Sequence, residues 1–425
     1  MSEDNKVKKY VDENKKQNSI SKKDREILRK LAAKVAELAA RPGECDKKNL
    51  WYAHNALKLT RPVILCDPEH GWFEIITKDS LECESELAQT WEHKLKRDIF
   101  RGESMGDDMV VSASFNIQHV SSDSGWGVKL EKHGGQNGGS YVWDASLKDY
   151  NEMDKLHFPQ ITVDHEATGE LLNLAKNVFD GLLEVKLKSV WWWSLGMTDT
   201  LIYMRGLEQV MIDMYDYPEE LHRLMAFLRD GYISKLDYLE KNGLLNMNND
   251  NDYVGSGGFG FSHELPQKDF EGRVRTCDMW GFLESQETTL ISPAMFEDFI
   301  FQYQLPILER FGINCYGCCE PLDKRWHVVK KTPRLRRVSV SPWSNLGFMA
   351  EALEDKYIYS MKPTPADLAV PQIDEEYIRK NLREAMRLTR NCRVEIIMKD
   401  NHTIGKNPQN VIRWCRIVRE EAESL

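Results

Sequence analysis

The chain has 425 residues, with 57 Lys and Arg against 67 Asp and Glu, a formal net charge of −10. Apolar residues make up 41% and charged residues 29%, values that exclude collagen-like, low-complexity and wholly disordered chains. The acidic balance argues against a nucleic-acid partner, which needs concentrated Lys and Arg.

A chain of this length can form one large α/β barrel or two to three smaller domains. No run approaches the roughly 18 uninterrupted apolar residues that span a bilayer. The polar start MSEDNKVKKY lacks the apolar core of a secretion signal. The expectation is a cytoplasmic protein without a membrane partner. Nine Cys, an odd count with no export signal, speak against a disulfide framework.

Residues 1 to about 20 read as a polar tail. Ser21 can cap a helix starting at Lys22, where Ile27, Leu28, Leu31, Val35 and Leu38 repeat at helical spacing and Arg41-Pro42-Gly43 stops it. Apolar runs then alternate with amphipathic stretches. The strands expected are Pro62–Cys66, Met109–Ser112, Leu187–Trp193, Leu244–Asn248, Ile313–Tyr316, Arg336–Val340, Tyr357–Met361 and Val394–Met398. The helices expected include one long stretch from Asp199 to Asn242, then Ala294–Phe311, Asp323–Lys330, Asn345–Leu353, Glu375–Leu388 and Pro408–Glu423. Eight apolar strands alternating with helices predict a parallel sheet and the number that closes a (β/α)8 TIM barrel. A doubly wound open sheet is the alternative. Residues 1–60 form the tail and helical extension, and 61–425 the barrel. Residues 114–185, rich in Gly, His and Asp, read as long loops over its mouth.

Barrel chemistry sits at the C-terminal strand ends. Those ends carry Asp67, Glu69 and His70; Trp193 and Ser194; Asn249 and Asp250; Cys318, Cys319 and Glu320; Lys362; and Asp400 and His402. The densest is INCYGCCEPL, Ile313–Leu322. Thiolates and imidazoles are preferred zinc ligands, and a catalytic site keeps one position open. Cys318, Glu320 and the remote His402 make a candidate metal set. Cys315 reads as a small buried side chain, and packing competes as the account of the whole cluster. Glu284 in GFLESQET is a candidate acid or base, with a solvated helix start as the alternative. Three consecutive tryptophans, Trp191–Trp193, can wall an aromatic or corrinoid ligand or simply pack in the core. His70, Trp193 and Asn249 are candidate substrate contacts. VGSGGFGF, Val254–Phe261, lacks the Lys-Ser/Thr ending of a phosphate loop and reads as a flexible lid or a loop that a ligand approaches.

The stretch WWWSLGMTDTLIYMRGLEQVMIDMYDYPEELHRLM, Trp191–Met225, resembles the uroporphyrinogen decarboxylase superfamily, with its Arg-Gly helix followed by a Pro-Glu-x-Leu-His helix start. MWGFLESQETTLISPAMFEDFIFQYQLPILERFG, Met279–Gly312, is similar to the same superfamily's Ser-Pro helix, and MKDNHTIGKNPQNV, Met398–Val411, to its last metal-ligand turn. The Arg-Gln-Ala-Gly-Arg run that grips propionates in true uroporphyrinogen decarboxylases is missing from ALKLTRPVILCDPEHGW. The resemblance is therefore nearer to the corrinoid-dependent zinc methyltransferases. In that pattern Tyr316 replaces a His, Cys318 carries over, His402 takes the place of the last Cys ligand and Glu320 is the third choice.

That resemblance implies a (β/α)8 barrel methyltransferase moving a methyl group between a small substrate, a methoxylated aromatic in the preferred version, and cobalamin on a small corrinoid-binding partner protein. Zinc would act as Lewis acid. A metal-free decarboxylase or lyase of the same fold, and a non-catalytic corrinoid or tetrapyrrole carrier, are the alternatives. The sequence leaves the oligomeric state open, a homodimer included.

Overall fold

The computed structural model of the chain describes residues 20–129, 131–134 and 141–424. The expected tail therefore lies almost wholly outside the described residues. Among the described residues twelve strands follow in chain order. They are β1 (Val63–Cys66), β2 (Ser114–Ile117), β3 (Val120–Asp123), β4 (Glu131–Gly134), β5 (Tyr141–Asp144) and β6 (Ile161–Asp164), then β7 (Glu184–Leu187), β8 (Trp280–Leu283), β9 (Ile313–Tyr316), β10 (Leu335–Val340), β11 (Ile358–Met361) and β12 (Arg393–Met398). One parallel sheet has the order β1-β12-β11-β10-β9-β8. A parallel pair, β2 and β7, and two antiparallel pairs, β3 with β6 and β4 with β5, stand beside it. The first strand thus pairs with the last, Val63 opposite Glu395.

The sheet is buried on both faces, and its strands are mostly apolar, with buried polar side chains at Asn314, Arg337, Ser339, Ser360 and Glu395. Side chains alternate between two cores. Ile64, Tyr316, Val338, Met361 and Met398 pack outward against the helices. Val63, Leu65 and Ile397 face inward on Phe259 and Phe261, while Trp280, Phe282 and Cys315 face Val254. Ser21 Oγ accepts from Asp24 N, the expected cap, and on helices that cover the sheet Asn345 and Asp374 accept from Phe348 N and Tyr377 N.

Several expected elements differ. The Asp199–Asn242 stretch is three helices, Thr198–Arg205, Leu207–Asp216 and Pro218–Lys241. Gly206, at φ 83°, and Pro218 break it. The second and third strands form at Ser114–Ile117 and Glu184–Leu187, leaving Met109–Ser112 and the three tryptophans in irregular chain. Leu244–Asn248 is not a strand; the Asn248 side chain reaches the next strand instead, donating to Trp280 O at 3.0 Å and accepting from Trp280 N at 2.8 Å. Trp280–Leu283 is a strand that the periodicity did not predict.

The glycine-rich segment is the largest correction. It is not a lid. Residues 254–262 are buried throughout, against the inward face of the sheet. Gly257 and Gly258 have φ of 101° and 97°. A Cβ on Gly258 would stand 2.9 Å from Arg337 Cζ, and one on Gly257 would overlap Ile397. The glycines are there because the backbone runs directly against β10 and β12, in a left-handed conformation that other residues avoid.

Candidate functional site

Cys318 follows β9, one residue past Gly317, whose φ of 90° turns the chain. The thiol is buried at 2% exposure, with three groups around its sulfur. Ser256, from the glycine-rich segment, donates to Cys318 Sγ at 3.1 Å. Cys319 Sγ lies 3.5 Å from it, and 3.2 Å from Asp400 Oδ2. Lys399 Nζ, just past β12, is 3.8 Å away and pairs with Asp400. The Cys319 contact, with Lys399 and Ser256, holds the Cys318 thiol below its ordinary value, although burial and Glu320 oppose this. Burial presses the Lys399 ammonium down, but Cys318 and Asp400 outweigh it and hold it well above the usual lysine value. The ammonium beside the buried sulfur favours the ionised form of the thiol.

A second cluster sits one strand over. Glu284, just past β8, is buried. Its Oε1 accepts from Ser194 Oγ at 3.0 Å and its Oε2 from Gln286 N at 2.9 Å. Burial, with Glu287 and Glu320 nearby, pushes its carboxyl well above the ordinary range. Glu320 is also buried, and burial raises it too. Both its oxygens are already engaged: Oε2 accepts from Cys318 N at 2.8 Å and Oε1 from Ser285 N at 2.9 Å.

The expected site residues therefore fall into separate groups. Cys318 and Glu320 are joined, but through the backbone. His402 stacks on His70, ring centroids 5.6 Å apart and 11° from parallel, at the junction of β1 and β12. Asn249 acts as a clamp, donating to Leu265 O at 2.8 Å. Trp193 lines a cavity and meets Phe282 edge-on at 5.4 Å. Among the described residues no three His, Cys, Asp or Glu side chains form a group placed to hold a metal ion. Cys318, Glu320 and His402 in this arrangement do not fit zinc: the carboxylate is spent on backbone N–H groups, and an ammonium holds the thiol's free side.

The cavity measures about 370 Å³. Its wall includes Trp191, Trp192, Trp193, Tyr253 and Phe282, and it reaches Gly255, the neighbour of Ser256. Asn246 and Asn248 line it where Asn249 was expected. A second cavity, about 390 Å³, opens past β10 and β11 among Leu346, Ile378 and Trp414 of the outer helices.

Sequence reasoning missed Lys399 and Ser256. The strand-end position of Lys399 was a readable signal. Ser256 was not readable, because nothing local says that its segment runs inside the sheet. No protein-family model matches the chain, and no curated protein sequence does.

Proposed function

We propose that this chain is a methyltransferase that moves a methyl group between a small methoxylated aromatic and a corrinoid carried on a partner protein. The eight parallel strands, in this proposal, are the staves of a (β/α)8 barrel, with the cavity at its mouth. The observation that carries it is the tryptophan-walled cavity reaching Gly255, next to Ser256, whose hydroxyl donates to Cys318.

Ligand pockets are mostly apolar with a few placed polar groups, and this one suits a single substituted ring. A corrin macrocycle needs more room than about 370 Å³, which favours a corrinoid that stays on its partner and meets the mouth from outside. That cofactor supplies the cobalt nucleophile toward the methyl carbon. The chain's own residues do the rest. The tryptophans orient the ring and exclude water. When the carbon–oxygen bond breaks, its electron pair stays on oxygen, and a proton must reach that oxygen. In this proposal Glu284, which accepts from Ser194, the residue after Trp193, is the acid that delivers it. No step is assigned to zinc.

The test is an anaerobic assay of methyl transfer from methoxyarenes to cob(I)alamin, followed by the absorbance of methylcobalamin. Methylcobalamin formed by the wild type and reduced about a hundredfold by Glu284→Gln supports the proposal. Release of carbon dioxide from a carboxylated substrate without methyl transfer would favour the lyase. Tight cobalamin binding without turnover would favour the carrier.

A further inference from the structure

Among the described residues, one lysine of the cavity wall makes no close ion pair. Lys94, on the helix Glu86–Phe100, lines the cavity and rests its Nζ 4.2 Å above the Phe115 ring. Asp98, one turn along, acts on it through space, but no carboxylate comes within ion-pair distance among the described residues. The other lysine of the wall, Lys188, is already matched by Asp252 at 2.5 Å. Burial presses the Lys94 ammonium below its ordinary value. An aromatic face stabilises a cation but does not neutralise it, and a half-desolvated charge without a partner is costly. A bound anion removes that cost.

We propose that Lys94 is an anion-binding subsite of this cavity and that the ligand is an aromatic carboxylate, its ring against the tryptophans and its acid group on Lys94. The methyl-transfer proposal is needed only for what happens to that ligand afterwards. The alternative fillings are separable by charge. A neutral methoxybenzene gains the stacking but leaves Lys94 unmatched, and an aromatic amine adds repulsion.

Binding can be read without corrinoid, by quenching of tryptophan fluorescence in the full chain titrated with p-methoxybenzoate and with methoxybenzene. The wild type is expected to bind the carboxylate about tenfold more tightly, as a charge-assisted hydrogen bond requires. Lys94→Met should remove that preference and leave methoxybenzene binding unchanged, which also reports that the variant is folded. Lys94→Arg should keep most of it. Equal affinity of the wild type for the two ligands, or a preference that survives Lys94→Met, overturns the proposal. If Lys94→Met does not fold, competition of benzoate against benzamide on the wild type decides, and equal competition overturns it. A carboxylate preference without methyl transfer to cobalamin keeps the subsite and removes the reaction. Methyl transfer without the preference does the reverse.

Discussion

Lys399 Nζ stands 3.8 Å from Cys318 Sγ, although the two residues are 81 positions apart and leave different strands. With the Cys319 contact, it lowers the thiol against the effect of burial. Cys318 should ionise below the ordinary thiol value in the wild type. In Lys399→Met the nearest cation is lost while burial remains, so the midpoint should rise by about one pH unit or more. Thiolate absorbance titration, as the difference between each protein and its Cys318→Ser counterpart, measures it. Unchanged midpoints would show that Lys399 does not act on the thiol.

Metal content separates the sequence pattern from the side-chain arrangement. With the thiol beside an ammonium and Glu320 bound to backbone N–H groups, protein purified anaerobically should carry well under one zinc per chain. One zinc per chain, lost in both Cys318→Ser and His402→Ala, would show that the residues regroup around a metal.

The glycine-rich segment makes a sharp stability prediction. Gly257→Ala adds a Cβ into Ile397 at φ 101°. It should cost about 2–4 kcal/mol in urea unfolding, from strain and overpacking together. Gly43→Ala, in the helix Pro42–Asn55 with nothing within 4 Å of the new carbon, should be neutral or slightly stabilising.

Beneath the site, Glu395 accepts from Ser360 Oγ at 2.5 Å, pairs with Arg337 at 2.9 Å and meets His54 Nε2 at 3.2 Å. Burial alone would raise this carboxyl, but Arg337 and the His54 hydrogen bond hold it down to about 2. A carboxylate depressed in the folded state contributes stability above its unfolded value, and loses it as pH falls toward the folded one. Urea stability should therefore fall between roughly pH 4.5 and pH 2, and less so in Glu395→Gln. Arg337→Met, which leaves the buried carboxylate without its guanidinium and with only Ser360 and His54, should cost about 3–5 kcal/mol at neutral pH.

The parts of the fold that repeat were legible. Helices such as Glu375–Leu388, with an Asp cap and a clear apolar stripe, appear at the expected bounds. So do the late strands, whose apolar runs are flanked by helices. Trp280–Leu283 was hidden because WGFL is short and leads straight into a polar turn, a pattern that periodicity cannot assign. The site was legible as a set of strand ends and not as a set of contacts. Cys318 and Glu284 stand at such ends, but the partners of each come from segments whose path depends on tertiary packing. His402 shows the limit: a loop histidine in the right place finds a second imidazole, His70, rather than the thiol.

The pairing of β1 with β12 and the threading of the glycine-rich segment also set when the molecule can finish folding. Phe259 and Phe261 meet Trp51 and Val63 from early in the chain and Ile397 from near its end. These contacts span more than three hundred residues, and loop-closure entropy must be met before any of them forms. On the ribosome, the inward face would stay open until β12 has emerged. An incomplete chain would expose apolar strand surface in the meantime, as slow-folding parallel sheets do. The segment that brings Ser256 to Cys318 is therefore fixed only after β12 has been made, and the thiol acquires its surroundings no earlier.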